Sequence, residues 1–205
     1  MNRITELSQS YDALAATYAS GRHLFDTSPL LHQCAALIPT DARVLDVGCG
    51  AGEPVSAYFA ERGDQVTGID ISSEMLELAS RQVPAAEFTH MDLRHLEFAE
   101  AHFDLLTAVY CVFHLDRQEH QSIFDGFARV LKPGGIALLT LACKGYTGED
   151  EFDGNIEFLG HSLPYSHDRP EVALQKLSQA GLHSVMAETR ETGGETFFWV
   201  IAKKA

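Results

Sequence analysis

The stretch Val44-Leu45-Asp46-Val47-Gly48-Cys49-Gly50-Ala51-Gly52 joins a short apolar run to a cluster of glycines. The apolar run is typical of a buried strand, and Pro54 just beyond it suits the first turn of a helix. Glycine lets a backbone turn tightly near a ligand, and a helix N-terminus presents free N–H groups to an anionic group. A dinucleotide-binding loop of the form G-x-G-x-x-G would need a third glycine where this chain has Glu53.

Short apolar runs alternate with helical stretches along the chain. Runs that predict strands lie at 44–47, 65–70, 87–91, 103–109, 136–143, 183–189 and 196–202. The alternation predicts βαβ units and a mostly parallel sheet covered by helices on both faces. The last two runs flank Gly193-Gly194, a connection too short for a parallel crossover. The predicted fold class is therefore α/β, a doubly wound Rossmann-like seven-stranded sheet with an antiparallel last strand.

Three acids lie at the ends of the first three predicted strands. Asp46 comes two positions before the glycines, and Asp70 lies about 20 residues past the loop, where an acid can accept hydrogen bonds from ribose hydroxyls. Asp92 stands between Met91 and Leu93, so its carboxylate could bind an exocyclic amine beside a flat ring. Each acid alone could equally be a helix cap or a turn residue, but three at consecutive strand ends favour a binding site.

With these motifs the chain resembles the class I S-adenosylmethionine-dependent methyltransferases, of the small-molecule type, from about residue 10 to the C-terminus. The matching stretches are 45–52, 68–72 with Met75, 91–93, 103–105 and 129–135. The resemblance implies that S-adenosyl-L-methionine is the methyl donor and S-adenosyl-L-homocysteine the product. It also implies that Asp46 and the glycine loop hold the methionine end, and that Asp70 holds the ribose.

The resemblance implies further contacts around the adenine ring and the methyl group. Ile71 lines the adenine pocket, Asp92 with Met91 or Leu93 brackets the ring, and Tyr110 lies near the methyl group. The pattern Tyr11-Asp12-x-x-Ala15-x-x-Tyr18 resembles a lid helix, although these tyrosines could simply pack with Leu14. The candidate cofactor-binding residues are Tyr18, Arg22, Asp46, Gly48, Cys49, Gly50, Gly52, Asp70, Ile71, Met75, Met91, Asp92, Leu93 and Tyr110.

Two histidines are candidate general bases. His114 follows the fourth predicted strand, and His167 ends the acid-rich segment 144–168, which we assign to the substrate side. An imidazole can take a proton near pH 7. The alternatives are that His167 and Asp168 only cap the helix at Pro170, and that His114 supports the crevice wall. No metal site is predicted, because the histidines lack i, i+4 pairing and C-x-x-C partners.

Composition bounds the class of protein. The 205 residues suit a single domain, which we divide into lid helices (1–40), cofactor-binding core (41–143), substrate-side segment (144–168) and C-terminal helix and hairpin (169–205). The net charge of −14 argues against a nucleic-acid partner. No apolar run is long enough for a membrane span, and 1–17 lacks the pattern of a signal peptide. Four scattered cysteines fit a reducing cytoplasm.

The function predicted from the sequence is metal-independent methyl transfer to a small-molecule acceptor by in-line displacement. The alternatives are a non-catalytic adenosylmethionine-binding subunit of a larger complex and a protein- or tRNA-modifying methyltransferase. An NAD-dependent oxidoreductase shares the fold but is disfavoured by Glu53 in the glycine loop. The sequence names neither the acceptor nor an oligomeric state.

Overall fold

A computed structural model describes residues 3–21 and 26–205. The strands are β1 (Arg43–Val47), β2 (Gln65–Asp70), β3 (Glu87–His90), β4 (Phe103–Ala108), β5 (Leu131–Leu141), β6 (Phe152–Phe158), β7 (His161–His167), β8 (Leu182–Thr192) and β9 (Glu195–Lys204). The helices are α1 (Arg3–Gly21), α2 (Ser28–Ala35), α3 (Val55–Glu61), α4 (Ser73–Gln82), α5 (His120–Val130), α6 (Lys144–Thr147) and α7 (Pro170–Gln179).

Seven strands form one sheet in the order β3-β2-β1-β4-β5-β9-β8. The pairs among β1 to β5 are parallel, whereas β9 runs antiparallel to both β5 and β8. The predicted fold class, including the reversed last strand, is confirmed. Strand order reverses between β1 and β4, and α/β folds bind ligands at the carboxyl ends of strands at such a point.

Helices cover both faces of the sheet because the strand side chains alternate between two cores. Leu45 and Val47 of β1 belong to a core with residues of α5 and α7, and Val44 belongs to a core with residues of α2 and α3. Val44, Leu45 and Val47 are completely buried. An apolar strand covered on both sides is what a parallel sheet requires.

The last two strands form the hairpin that the sequence predicts. Gly193 and Gly194 have φ angles of 63° and 83°, in the left-handed region that glycine adopts without strain. A two-residue turn with positive φ at both positions matches the right-handed twist of the flanking strands. The glycine pair therefore explains why β9 returns antiparallel beside β8.

Three local sequence signals differ from the structure. A segment as long as 144–168 predicts a functional loop or a hidden short element, but it contains α6 and the β6–β7 hairpin, which forms a separate two-stranded sheet. The capping-box spacing of Asp116 and Glu119 predicts a capped helix start, but α5 begins at His120 without a side-chain cap, and Asp116 Oδ1 accepts from Gln118 N. Ser28-Pro29 predicts an N-cap at Ser28, but the residue before α2 is Thr27, whose side chain makes no capping hydrogen bond.

Among the described residues, no helix is both long and apolar enough to cross a bilayer.

Candidate active site

The glycine loop after β1 turns sharply back towards β2. Gly48, Gly50 and Gly52 have φ angles of 66°, 53° and 86°. Cys49 N donates to Ile69 O at 3.0 Å, so the loop is fastened to the end of the neighbouring strand. A residue with a side chain would be strained at each of these three positions.

Gly48 also needs to be small because Cys111 lies against it. A Cβ atom at position 48 would come within 2.5 Å of Cys111 Cβ, whereas one at Gly50 would meet no heavy atom closer than 3.9 Å. The loop is therefore packed tightly against Cys111 at Gly48 and only in ordinary van der Waals contact with Met75 and Tyr18 at Gly50.

We expect Gly48→Ala to lower the free energy of unfolding by about 2–5 kcal/mol, the sum of a left-handed alanine and an overpacked contact. The matched control is Gly160→Ala, because Gly160 has a φ of 80° but a Cβ atom added there would meet nothing within 4 Å. It should cost only the backbone strain, about 1–2 kcal/mol. Denaturant unfolding of both variants measures the difference. Equal losses would contradict the close contact with Cys111.

Asp70 fixes the glycine loop from the end of β2. Its Oδ2 accepts from Gly50 N at 2.9 Å, and its Oδ1 accepts from Ser72 N at 2.9 Å. Burial raises the pKa of Asp70 above its ordinary value, although the N–H groups of Ser72 and Gly50 favour the charged form. The carboxylate thus joins the loop to the start of α4, and it borders a cavity at the strand ends.

Asp46 is held inside the sheet. Its Oδ2 accepts from Ser56 Oγ at 2.7 Å and its Oδ1 accepts from Thr107 Oγ1 at 2.8 Å. Burial raises the pKa of Asp46 to about 6, against the effect of these hydrogen bonds. Asp46 is 3% exposed. Its two hydrogen bonds connect β1 to α3 and to β4.

Asp92 follows β3 and is paired with Arg94, a partner that the sequence did not indicate. Arg94 Nη2 donates to Asp92 Oδ2 at 2.6 Å, and Arg94 Nε lies 3.1 Å from Oδ1. Burial acts to raise the pKa of Asp92, but the hydrogen bonds and charge of Arg94 outweigh it and lower the pKa. The carboxylate therefore stays ionised, with both of its oxygens held by Arg94.

The cavity at the carboxyl ends of the central strands has a volume of about 70 Å³. Ten of the fourteen candidate cofactor-binding residues line it, together with His114: Tyr18, Gly48, Gly50, Asp70, Ile71, Met75, Met91, Asp92, Leu93 and Tyr110. Asp46 and Cys49 line an adjoining pocket that shares Tyr18, Gly48 and Gly50 with the cavity. Gly52 lines neither pocket, because it packs against Val83 and Ala79. Arg22 lies outside the described residues.

Tyr110, in the cavity wall, has a left-handed backbone conformation that is unusual for a non-glycine residue. Its φ angle is 60°, and it is 8% exposed against Phe197 and Trp199, whose ring centroids lie 5.0 Å and 5.5 Å away. A non-glycine residue in this region costs about 1–3 kcal/mol and is found where the surroundings impose it, often at functional sites.

Helix α1 lies over the cavity and is fastened to the elements beneath it. Ser8 Oγ donates to Ile71 O at 2.8 Å, and Ser72 Oγ donates to Asp12 Oδ1 at 2.6 Å. Tyr11 and Tyr18 both line the cavity, with ring centroids 5.9 Å apart. The tyrosines of the N-terminal pattern thus face the cavity, in addition to packing as one helix face.

His114 reaches the cavity from the 3-10 turn after β4. Its Nδ1 lies 2.8 Å from Pro164 O, and its Nε2 lies 2.7 Å from the Tyr11 hydroxyl. Because a carbonyl oxygen can only accept, Nδ1 carries the proton and Nε2 accepts from Tyr11. Burial lowers the pKa of His114 to about 4, so the ring is neutral at pH 7. Sequence reasoning missed Tyr11 as the partner, since 103 residues separate the two.

His167 does not line the cavity. Its Nε2 lies 2.8 Å from Thr147 Oγ1 and its Nδ1 lies 3.0 Å from Asp168 O, and the residue is 1% exposed. Helix capping is not its role either, because the residue before α7 is Arg169 and no side chain caps that helix. His167 connects β7 to α6, and the structure does not bring it together with His114 at the cavity.

Two further findings concern metals and thiols. Within residues 3–21 and 26–205, no group of three or more His, Cys, Asp or Glu side chains could hold a metal ion. All four cysteines are free thiols. Cys111 borders the cavity, and its Sγ donates to Val47 O at 3.2 Å.

Comparison with protein families gives a match to the methyltransferase domain over residues 44–135. Among curated proteins, the chain is 35% identical over 154 residues to phosphoethanolamine N-methyltransferase 1 of Triticum aestivum. The match covers 72% of this chain but spans only 30% of the wheat protein's length.

Solved structures share the fold along nearly the whole chain. A SAM-dependent methyltransferase of Methanosarcina mazei superposes with a TM-score of 0.72 and 24% identity, over 87% of this chain and 98% of that one. The 1,6-didemethyltoxoflavin-N1-methyltransferase of Burkholderia thailandensis was solved with 1,6-didemethyltoxoflavin and S-adenosylhomocysteine. It superposes with a TM-score of 0.70 and 22% sequence identity, over 97% of this chain and 90% of that one.

Proposed function

We propose that this chain, which belongs to the class I S-adenosylmethionine-dependent methyltransferases, transfers a methyl group from that cofactor to a small-molecule acceptor. The observation that carries the proposal is the cavity at the strand ends, where the glycine loop and Asp70 meet the Tyr11–His114 pair. S-adenosylmethionine supplies an activated methyl group on a sulfonium, so the protein's main tasks are alignment and exclusion of water.

The residues around the cavity fit this cofactor. Gly48 and Gly50 line the cavity, and the lack of side chains there lets a ligand approach the loop backbone closely. Asp70 and Asp92 provide carboxylate oxygens for ribose hydroxyls and an exocyclic amine, and Ile71, Met91 and Leu93 provide apolar walls for a flat ring. We assign the methionine end to the glycine loop and to the adjoining pocket that Asp46 lines.

We propose that α1 is a lid over the cofactor. The cavity encloses about 70 Å³, well below the roughly 300 Å³ of a small ligand pocket, and Tyr11 and Tyr18 of α1 are part of its lining. Opening requires α1 to give up its hydrogen bonds to Ile71, Ser72 and His114. Closure of such a helix excludes water from the reacting atoms.

A small acceptor is supported by the size and charge of the site. The cavity is narrow, and the chain has a net charge of −14, which opposes a phosphate backbone. The wheat relative is named for phosphoethanolamine, and the Burkholderia structure holds 1,6-didemethyltoxoflavin, and both of these compounds are small molecules. We further propose a cytoplasmic protein of one domain, with lid, core, substrate-side segment and C-terminal hairpin as divided above.

Proton removal is assigned to His114, acting through Tyr11. Nε2 of His114 is the unprotonated nitrogen, and it accepts from the hydroxyl of Tyr11, a residue that lines the cavity. An acceptor that carries a proton on its nucleophilic atom can pass that proton to Tyr11 as Tyr11 passes its own to His114. The proposal gives His167 no part in the reaction.

Calorimetry tests the proposed function. We expect S-adenosylmethionine and S-adenosylhomocysteine to bind, and NAD not to bind, because Glu53 stands where a dinucleotide loop needs its third glycine. Incubation with methyl-labelled S-adenosylmethionine and a panel of small amines, phenols and phosphorylated amines should then transfer label to at least one acceptor. Comparable binding of NAD would contradict the proposal. Cofactor binding without transfer to any acceptor would favour the binding-subunit alternative.

A further inference from the structure

A second groove lies beside the cavity, between the first turns of α1 and the β6–β7 hairpin. This α1–hairpin groove has a volume of about 360 Å³, and its lining includes Arg3, Glu6, Leu7, Asp116, Asp153 and Pro164. Leu7 lines both the groove and the cavity. Pro164 lines the groove, while its carbonyl oxygen accepts from His114 in the cavity wall. The groove therefore adjoins the end of the cavity where Tyr11 and His114 meet.

Arg3 is a cation of this groove that lacks an anionic partner among the described residues. Its Nε is buried and has no hydrogen-bond partner in that part of the chain. Within residues 3–21 and 26–205, no carboxylate lies at ion-pairing distance from it, whereas Arg94 and Arg117 each contact at least two acids. Burying a guanidinium nitrogen without a partner is costly, so the arrangement suits an incoming acceptor of hydrogen bonds.

The positive charge of Arg3 lowers the pKa values of two residues near the groove, His114 and Asp153. Burial is the main cause of the low pKa of His114, and the charge of Arg3 adds to it. Burial acts to raise the pKa of Asp153, but Ser166, Arg117 and the charge of Arg3 together lower it. Arg3 therefore acts on a residue at the cavity end and on a residue of the hairpin from its place in the groove lining.

The acids of the groove leave room for an anion. Asp153 accepts from Ser166 Oγ and from Arg117 Nε, the latter at 3.1 Å. The positive charge of Arg117 therefore offsets the negative charge of Asp153. Asp116 Oδ1 accepts from Gln118 N at 2.8 Å. The side chain of Glu6 is exposed to solvent, where water screens its charge.

We propose that the α1–hairpin groove binds the part of the methyl acceptor that lies away from the reacting atom, and that Arg3 pairs there with a carboxylate or phosphate group. The inference rests on the proposed function, since it takes the molecule in the groove to be the acceptor. A guanidinium presents two parallel N–H donors to an oxyanion, which fixes orientation as well as position. With its remote end held at Arg3, an acceptor can extend past Leu7 to the Tyr11 hydroxyl.

Titration with inorganic phosphate and with acetate, followed by NMR in the presence of saturating S-adenosylhomocysteine, tests the assignment. The bound nucleoside keeps the probes away from the glycine loop. We expect both probes to perturb the amides of α1 and of residues 153–155. Arg3→Ala should weaken binding by about 10- to 150-fold, the loss of a hydrogen bond to a charged group. Arg3→Lys should retain part of the affinity because the charge remains.

The matched control is Arg190→Ala, because Arg190 lies on the edge strand β8 and pairs with Glu188. It should leave probe binding unchanged. Equal probe affinity in Arg3→Ala and the unmodified protein would overturn the proposal. Binding of methylammonium in the groove without binding of phosphate or acetate would also overturn it and assign the groove to Glu6 and Asp116. Failure of the unmodified protein to bind S-adenosylhomocysteine would defeat the proposed function instead, while the Arg3→Ala comparison would still decide the groove.

Discussion

The His114→Gln variant is expected to lower turnover by about 10²–10⁴ while S-adenosylhomocysteine affinity stays within a few-fold of the unmodified protein. Loss of the imidazole removes the nitrogen that accepts from the Tyr11 hydroxyl at 2.7 Å. Tyr11→Phe should cause a drop of similar size, since it removes the other half of the pair. The double variant should be no worse than either single one, because residues that act as a unit are not additive.

The pH profile separates a proton-transfer role from a structural one. Because burial lowers the pKa of His114 to about 4, its neutral form persists from pH 8 down to about pH 5. At saturating S-adenosylmethionine, the loss of turnover that belongs to His114 should therefore lie near pH 4, and not near the ordinary histidine pKa of about 6.5. The variants should lose this limb. A limb near 6.5 that His114→Gln abolishes would contradict the assigned environment.

The control for burial is His120→Gln. His120 is 2% exposed, its pKa is also lowered to about 4 by burial, and its Nε2 lies 3.2 Å from Leu115 O, but it does not line the cavity. It should lose stability as His114→Gln does and keep its turnover. If both histidine variants lose turnover equally, or if His114→Gln and Tyr11→Phe keep full turnover, the assigned proton path is wrong.

Elements with a strong local pattern could be predicted from the sequence. Residues 65–70 form β2 with the predicted bounds, because this run is rich in β-branched residues. The two serines at 72 and 73 indicate a helix start by themselves, and in the structure Ser72 caps α4. The glycine pair at 193–194 likewise predicted a hairpin, since two-residue loops admit few conformations. The acids at the strand ends were found because parallel strands bring their carboxyl ends to one edge.

Long-range contacts could not be predicted in the same way. The β6–β7 hairpin lacked a strong signal because its burial alternates only between half-buried and exposed over Phe152–Phe158. The pairing of His114 with Tyr11 and Pro164 joins three elements that lie far apart in the chain. The pairing of Asp92 with Arg94 was not predicted either, because nearby opposite charges are common in sequences and many such pairs contribute little.

Asp70→Ala is expected to weaken S-adenosylhomocysteine binding by about 10- to 150-fold, as measured by calorimetry at pH 8. The variant removes the carboxylate proposed to accept from the ribose, a loss of about 1.5–3 kcal/mol. It also frees Gly50 N and Ser72 N, whose hydrogen bonds to Asp70 are both 2.9 Å long, so part of the loss comes from a loosened glycine loop. Asp70→Asn keeps a side-chain acceptor oxygen without the charge and should lose less.

The matched control is Asp104→Ala, because Asp104 lies at the amino end of β4, away from the carboxyl ends of the strands. Asp104 also accepts from a backbone N–H, that of Arg43 at 2.9 Å, and pairs with Lys132, so its loss lowers stability without changing the cavity.

The pH dependence of binding adds a second readout, because burial raises the pKa of Asp70 and the charged form is the better acceptor. Affinity should therefore fall as the pH falls. Asp46, with a pKa of about 6, titrates in the same direction, so the part of the slope that Asp70→Asn removes belongs to Asp70. Unchanged affinity in Asp70→Ala would show that the ribose is held elsewhere.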